Sequence, residues 1–392
     1  MKILAIETSC DDTGIAILEA KKSGKSHTFK TLANVVQSQD IHTNYGGVFP
    51  MMAKREHGKN IVPVFEKALK DAELFQVGKN MLDSKKKKEI QKILSRENDL
   101  GEVFLAHIEN IKKPKIDKLA VTVGPGLEPA LWVGISFAKA LSIAWDMDLI
   151  PVNHMEGHKL SILIQKDGKI PDLQFPAMSL LVSGGHTEIV LMKEFGKYKI
   201  IGQTRDDACG EAFDKVARML GLPYPGGPEI SRLAEKSRSN SSVISNSKFV
   251  ITLPRPMIYT KDFDFSFSGL KTAVLYLLRD LGKINDAQRQ AIAYEFENAT
   301  VEVLAHKTLK AIEKYKAKTL IIGGGVSANK HLQKTLKTNI KKISPETTVY
   351  FPTKNLSTDN ALMIAIVGYF QSQKNSQKNP RRLIANGNLT LN

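Results

Sequence analysis

KILAIETSCDDTGIAIL, Lys2–Leu18, is an apolar run, a polar turn from Glu7 to Gly14, and a second apolar run. Short apolar runs rich in Ile and Leu, bounded by turn residues, read as paired strands. MSLLVSGGHTEIVLM, Met178–Met192, repeats that layout about 175 residues downstream, with SGGHT as its turn. Two such units are expected to open two related lobes. Between them, Ile61–Phe75 has helical periodicity, and Leu119–Val123 reads as a buried strand. GPGLEPALWVGISFAKALSIAW then leads a Gly/Pro loop into an apolar helix. Ala291–Tyr315 is a long helical stretch running into the strand TLIIGGG, so strands alternate with helices and the class is α/β.

The expected domains are a first lobe over 1–150 and a second, nucleotide- and substrate-binding lobe over 151–356. A C-terminal helix over 357–371 is expected to return to the first lobe, followed by a flexible basic tail over 372–392 with Lys374, Lys378, Arg381 and Arg382. A polar stretch at about 77–115, containing Lys85–Lys88, reads as an inserted surface subdomain of one or two helices. Ser237–Ser247 reads as a flexible loop.

The 392 residues are 42% hydrophobic and 24% charged, which excludes disordered and collagen-like chains. Two cysteines, Cys10 and Cys209, cannot form a disulfide framework, and a reducing compartment is expected. The chain opens directly on a strand pattern without a signal peptide and has no membrane-length apolar run, so a cytoplasmic location is expected. Lys+Arg of 56 against Asp+Glu of 40 leaves a net charge of +16. That excess suits a polyanionic partner or reflects a lysine-biased composition.

Five constellations can carry chemistry. HMEGH places His154 and His158 at i and i+4, one turn apart on a helix face, a spacing that suits two ligands of one metal. Met155 stands where HExxH needs its glutamate, so a metalloprotease is excluded. LVSGGHTE, Leu181–Glu188, offers backbone amides at Gly184 and Gly185 to an anion, or simply makes a tight hairpin. IIGGGVSAN, Ile321–Asn329, runs a strand into glycines and a helix start with Ser327 as a candidate cap, and it is not a P-loop. Asp214, in ACGEAFDKVARMLGLPYPGGP, is placed either to accept from ribose hydroxyls or as a solvated helix acid. Asp359, in STDNALMIA, starts an apolar helix, where an acid also complements the dipole.

These motifs, with ETSCDDTGIAI, AKREHGKNI, GPGL and DFSFSGLKTA, occur in an order that closely resembles the TsaD family of tRNA adenosine threonylcarbamoyltransferases, in its bacterial branch. The resemblance implies a two-lobed actin/sugar-kinase-type (ASKHA) fold with duplicated mixed β-sheet cores. It implies transfer of a threonylcarbamoyl group from threonylcarbamoyl-AMP to the exocyclic amine of the adenosine beside the anticodon, forming t6A in tRNAs that read codons beginning with A. His154, His158 and Asp359 become metal ligands, for Fe(2+) or Zn(2+). Leu181, Val182, Ser183, Gly184, Gly185, Asp214, Gly227 and Asn329 line the adenylate, or ATP or AMP, and its ribose. A TsaB-type partner subunit, a TsaE-type ATPase and an upstream threonylcarbamoyl-AMP synthase are implied.

A mixed anhydride with AMP as leaving group needs no covalent nucleophile, and no Ser-His-Asp or Cys-His signature is present. Asp11, in the acidic turn Glu7–Asp12, is the candidate for the amine proton. The other readings are an actin-fold small-molecule kinase, which has no use for HMEGH with Asp359, and a non-catalytic ATPase-like scaffold, whose relatives lack the histidine pair. Two departures stand out. Glu128, Pro129 and Ala130 follow Gly126-Leu127 where the family often has VGSL, stiffening that loop, and Ser231 replaces an acid. The lysine-rich insertion is unusual for the family, and is either a tRNA-contacting surface or a solvated decoration.

Overall fold

A computed structural model describes residues 1–23, 26–45, 47–97, 99–160, 173–194, 197–239, 251–351, 359–373 and 382–390. The chain forms two compact units, Met1–Pro171 with Thr358–Leu391, and Asp172–Ser357 with Asn392. The first therefore runs past the expected limit at 150 and takes in the HMEGH segment.

In the first unit β1 (Lys2–Glu7), β2 (Asp12–Ser23), β3 (Ser26–Ser38), β4 (Lys118–Gly124) and β5 (Leu149–Asn153) form a sheet in the order β3-β2-β1-β4-β5. The β1/β2 and β2/β3 pairs are antiparallel, while β1/β4 and β4/β5 are parallel. In the second unit β6 (Ala177–Val182), β7 (Thr187–Glu194), β8 (Lys197–Gln203), β9 (Thr319–Gly323) and β10 (Thr348–Tyr350) follow the order β8-β7-β6-β9-β10. Pairing directions repeat as well: β6/β7 and β7/β8 are antiparallel, β6/β9 and β9/β10 parallel. The two strand–turn–strand stretches are thus the opening hairpins of duplicated sheets, β1/β2 and β6/β7. This duplicated mixed topology is that of the actin/sugar-kinase-type fold.

Helices of the first unit are α1 (Pro50–Asp71), α2 (Ser84–Leu94), α3 (Leu100–Ile108), α4 (Glu128–Trp145), α5 (His154–Leu160) and α11 (Ala361–Ser372). Those of the second are α6 (Cys209–Met219), α7 (Gly226–Ser239), α8 (Ser268–Leu281), α9 (Asp286–Tyr315) and α10 (Lys330–Ile343). Each unit has its own apolar core. Three local expectations change. Glu128 and Pro129 open α4 rather than stiffening a loop, because an acid and a proline both suit a helix's first turn. Ser327 lies in a 3-10 turn, and Asn329 caps α10 instead, its side chain accepting from Leu332 N at 2.8 Å.

The third concerns the insertion, which is not a surface decoration. Ile90, Leu94, Phe104 and Ile108 are buried in the core of the first unit. The Phe104 ring meets Phe137 of α4 edge-on at 5.4 Å, and Phe137 meets Phe65 of α1 at 5.5 Å.

Near the C-terminus, Lys374, Lys378 and Arg381 lie outside the described residues, as does most of the expected Ser237–Ser247 loop; Ser237–Ser239 belong to α7. Residues 382–390, expected as part of a free tail, are instead pinned to the first unit. Lys139 Nζ donates to Leu383 O at 2.6 Å, Asn386 N to Val123 O at 2.9 Å, and Gly126 N to Gly387 O at 3.1 Å.

Candidate metal centre

The centre is built where β5 hands over to α5. Asn153 Oδ1 accepts from Met155 N at 2.8 Å and Glu156 N at 3.3 Å, which starts the helix and sets both histidines on one face. Gly157 lies between them because α11 packs there: a Cβ at that position would lie 2.9 Å from Met363 Cγ. Gly14 of β2 seats the start of the same helix, since its Cβ would lie 3.1 Å from Ala361 N. With α11 so placed and capped by Asn360, whose Oδ1 accepts from Met363 N, the preceding residue, Asp359, reaches the histidines.

His154 Nε2 and His158 Nε2 are 3.1 Å apart, His158 Nε2 and Asp359 Oδ1 are 3.1 Å apart, and His154 Nε2 and Asp359 Oδ1 are 3.4 Å apart. Ligands about 2.0–2.2 Å from a shared transition-metal ion sit about 3.0–3.4 Å from one another, so this triangle has the dimensions of one face of a coordination sphere. Both histidine rings are buried, whereas the Asp359 side chain keeps 24% of its surface exposed. Two imidazoles and a carboxylate on one face leave the opposite positions open. Among the described residues this is the one group of three or more His, Cys, Asp or Glu side chains with metal-ligand spacing.

Behind the triangle stands Glu7, fully buried at the end of β1. His154 Nδ1 lies 3.1 Å from Glu7 Oε2 and 3.2 Å from Ser9 Oγ. An Nδ1–H donated there turns the Nε2 lone pair toward the triangle, the usual carboxylate–histidine–metal arrangement. Ser9 N donates to Glu7 Oε1 at 2.6 Å, and Thr122 Oγ1 donates to Oε2, which fixes the carboxylate.

The three groups are strongly coupled electrostatically. Burial disfavours charge on His154, yet the carboxylates of Glu7 and Asp359 on its two sides outweigh it and hold its pKa well above the usual histidine value. Burial likewise pushes both carboxyls up, but attraction to His154 wins, leaving Glu7 below and Asp359 well below the carboxylate range. Without a metal the protonated His154 balances the two carboxylates; a divalent cation held at the triangle would take over that charge and leave His154 neutral, with Nε2 free to ligate. None of Glu7, Ser9 or Thr122 was singled out as a supporting residue in the sequence; the excess of acid in the turn after β1 was the available signal.

The same turn carries Asp11 and Asp12, and burial raises both carboxyl pKa values, that of Asp12 to about 7. His57, from AKREHGKNI, braces the turn: Nε2 donates to Cys10 O at 3.0 Å and Nδ1 accepts from Thr13 Oγ1 at 2.8 Å. Burial lowers the His57 pKa to about 4, so the ring is neutral, as this bonding requires. Burial, with the neighbouring acids, pushes the Cys10 thiol well up, which makes it a poor nucleophile.

The expected adenylate residues all belong to the second unit. Leu181 and Val182 are wholly buried in β6, so only their backbone can face a ligand. Ser183 N donates to His186 O at 2.8 Å, closing the turn that displays Gly184 and Gly185, at each of which a Cβ would meet nothing within 4 Å. Asp214 Oδ1 accepts from Gly226 N at 2.7 Å at the start of α7, beside Gly227. Asn329 is committed on both sides: beyond its capping role, Nδ2 donates to Glu297 at 2.7 Å and to Ser231 Oγ at 3.0 Å. Glu297, buried on α9, was not anticipated; it supplies an acid beside Ser231.

Comparisons with known proteins identify the family. A family model, TsaD: tRNA N6-adenosine threonylcarbamoyltransferase, matches residues 30–78 and 102–366. A tRNA N6-adenosine threonylcarbamoyltransferase of Thermosipho africanus is 42% identical over 375 residues, 94% of either chain. Another, of Chromobacterium violaceum, is 40% identical over 372 residues, covering 94% of this chain and 92% of that one. Among solved structures, full-length HypF in a phosphate- and nucleotide-bound form aligns over 94% of this chain and 46% of its own, with a TM-score of 0.51 at 11% identity, a likeness of fold. The chain belongs to the TsaD family and is a tRNA N6-adenosine threonylcarbamoyltransferase, an enzyme of t6A formation.

Proposed function

We propose that the chain uses the His154–His158–Asp359 triangle as a divalent metal site while it transfers the threonylcarbamoyl group from threonylcarbamoyl-AMP to N6 of the adenosine beside the anticodon, in tRNAs reading codons that begin with A. The single observation that carries the metal reading is the triangle itself, with edges of 3.1, 3.1 and 3.4 Å. Bound there, Fe(2+) or Zn(2+) would supply Lewis-acid stabilisation for oxygens that gain negative charge during acyl transfer.

The protein's residues do the rest. Glu7 holds His154 in the tautomer whose Nε2 faces the triangle. Asp11 takes the proton from the attacking amine, and its raised pKa brings it nearer neutrality, where a general base works best. The backbone at Gly184 and Gly185 binds the adenylate, and Asp214 holds the start of α7 near Gly227 for the same ligand. Leu181 and Val182 contribute backbone only, and Asn329 orders the wall through Glu297 and Ser231. The functional unit includes a TsaB-type subunit and a TsaE-type ATPase, with a synthase supplying the adenylate, in the cytoplasm. Among the described residues no helix is long and apolar enough to cross a membrane.

The test is mass spectrometry of nucleosides from tRNA incubated with the chain, threonylcarbamoyl-AMP and the partner proteins. Threonylcarbamoyladenosine is expected with wild type and lost with His154→Ala/His158→Ala. Full product from that double variant would overturn the role of the site.

A further inference from the structure

The helix α2 lies within the stretch 79–101 that separates the two segments matched by the family model. Its inner side is fixed by Ile90 and Leu94 in the core, and Asp83 caps it by accepting from Lys86 N at 2.7 Å. Two of its four consecutive lysines are neutralised within the fold: Lys86 pairs with Asp146 at 2.6 Å and Lys87 with Glu109 at 2.5 Å. Lys85 and Lys88 remain exposed, and so does Lys92. At i, i+3 and i+7 these three fall within an arc of about 60° on one helix face.

Arg96 follows just past the helix end. It is exposed, its guanidinium lies 4.3 Å above the Trp132 ring, and its carbonyl accepts from Lys54 Nζ at 2.9 Å. The three lysines span about 10 Å along a helix anchored in the core. Glu89, half-buried, is the one acid of the helix.

We propose that Lys85, Lys88, Lys92 and Arg96 form a docking stripe for the phosphodiester backbone of the tRNA substrate, which deepens and rests on the tRNA-modifying reading above. Lysine ammonium groups on mobile stems act as point charges and contact phosphate without reading bases. The stripe therefore holds the tRNA body irrespective of its sequence. The chain's net charge of +16 favours the same polyanion.

The test is tRNA binding by the full chain across a salt series, comparing wild type with Lys85→Glu/Lys88→Glu/Lys92→Glu. An equally charged control, Lys22→Glu/Lys30→Glu/Lys193→Glu, alters exposed lysines elsewhere, and circular dichroism checks the fold of each. Loss of three phosphate contacts lowers the slope of log affinity against log salt by about 2–3. That loss is expected in the stripe variant for every tRNA tried, and not in the control. An unchanged slope, or an equal loss in the control, overturns the stripe. So does a variant that loses binding to phosphatidylserine vesicles while keeping tRNA. If wild type forms threonylcarbamoyladenosine yet the stripe variant binds like it, only the stripe falls. If wild type neither binds tRNA nor forms product with its partners, the underlying reading fails.

Discussion

Glu7 contributes no ligand atom to the proposed coordination face, yet it decides how that face is presented. Its carboxylate faces His154 Nδ1 at 3.1 Å and is itself held by Ser9 and Thr122. Glu7→Gln keeps the shape and removes the charge, and outer carboxylates of this kind commonly control metal affinity by about 10–100-fold. A loss in that range is expected in chelator competition, with little change in far-UV circular dichroism. His57 makes a different prediction. Its folded pKa of about 4 lies below the ordinary histidine value of 6.5, so the unfolded chain binds a proton first as pH falls. The neutral ring's contribution is complete above pH 6.5 and is lost between 6.5 and about 4, by roughly 3 kcal/mol. Urea denaturation at several pH values should show that drop, reduced in His57→Gln; an unaltered pH profile in the variant would remove His57 as its source.

At the level of elements, the insertion and the return helix are where sequence and structure part. Apolar spacing identified α2 and α3, but their lysines and glutamates suggested a surface piece, because periodicity shows that a helix has an apolar face without showing what covers it. Phe104 is covered by α1 and α4. Phe104→Ala should therefore cost about 3–5 kcal/mol in denaturant unfolding, as a core aromatic does, whereas a surface subdomain would lose under 1 kcal/mol. The hairpins β1/β2 and β6/β7 were legible because strand–turn–strand patterning is local. HMEGH was legible because i and i+4 spacing is local too. The approach of Asp359 to the histidines, by contrast, depends on α11 packing against Gly157 and Gly14, about 200 and 345 residues earlier in the chain. No spacing rule reaches that far, so Asp359, legible in the sequence only as an acid at a helix start, became a metal ligand through family likeness. Glu297 and Thr122 stayed hidden for the same reason: each is an ordinary residue of a helix or strand until the fold brings its partner.

At the scale of the whole molecule, the chain closes on itself at the glycine loop that precedes α4. Asn386 and Gly387 bond to Val123 and Gly126, and a Cβ on Gly124 would lie 1.9 Å from Asn386 O, so the loop is shaped around the segment. Ending the chain before Arg382 should leave both sheets intact and speed amide hydrogen exchange at Gly126, whose N–H loses its acceptor. Exchange at the wild-type rate would show that the segment does not hold the loop.

The central claim is that His154, His158 and Asp359 hold one metal ion, and elemental analysis of the purified chain tests it most directly. About one equivalent of iron or zinc per chain is expected in wild type, falling sharply in Asp359→Ala while the fold persists by circular dichroism. Wild type that forms threonylcarbamoyladenosine after exhaustive chelation, with no bound transition metal, would contradict the account.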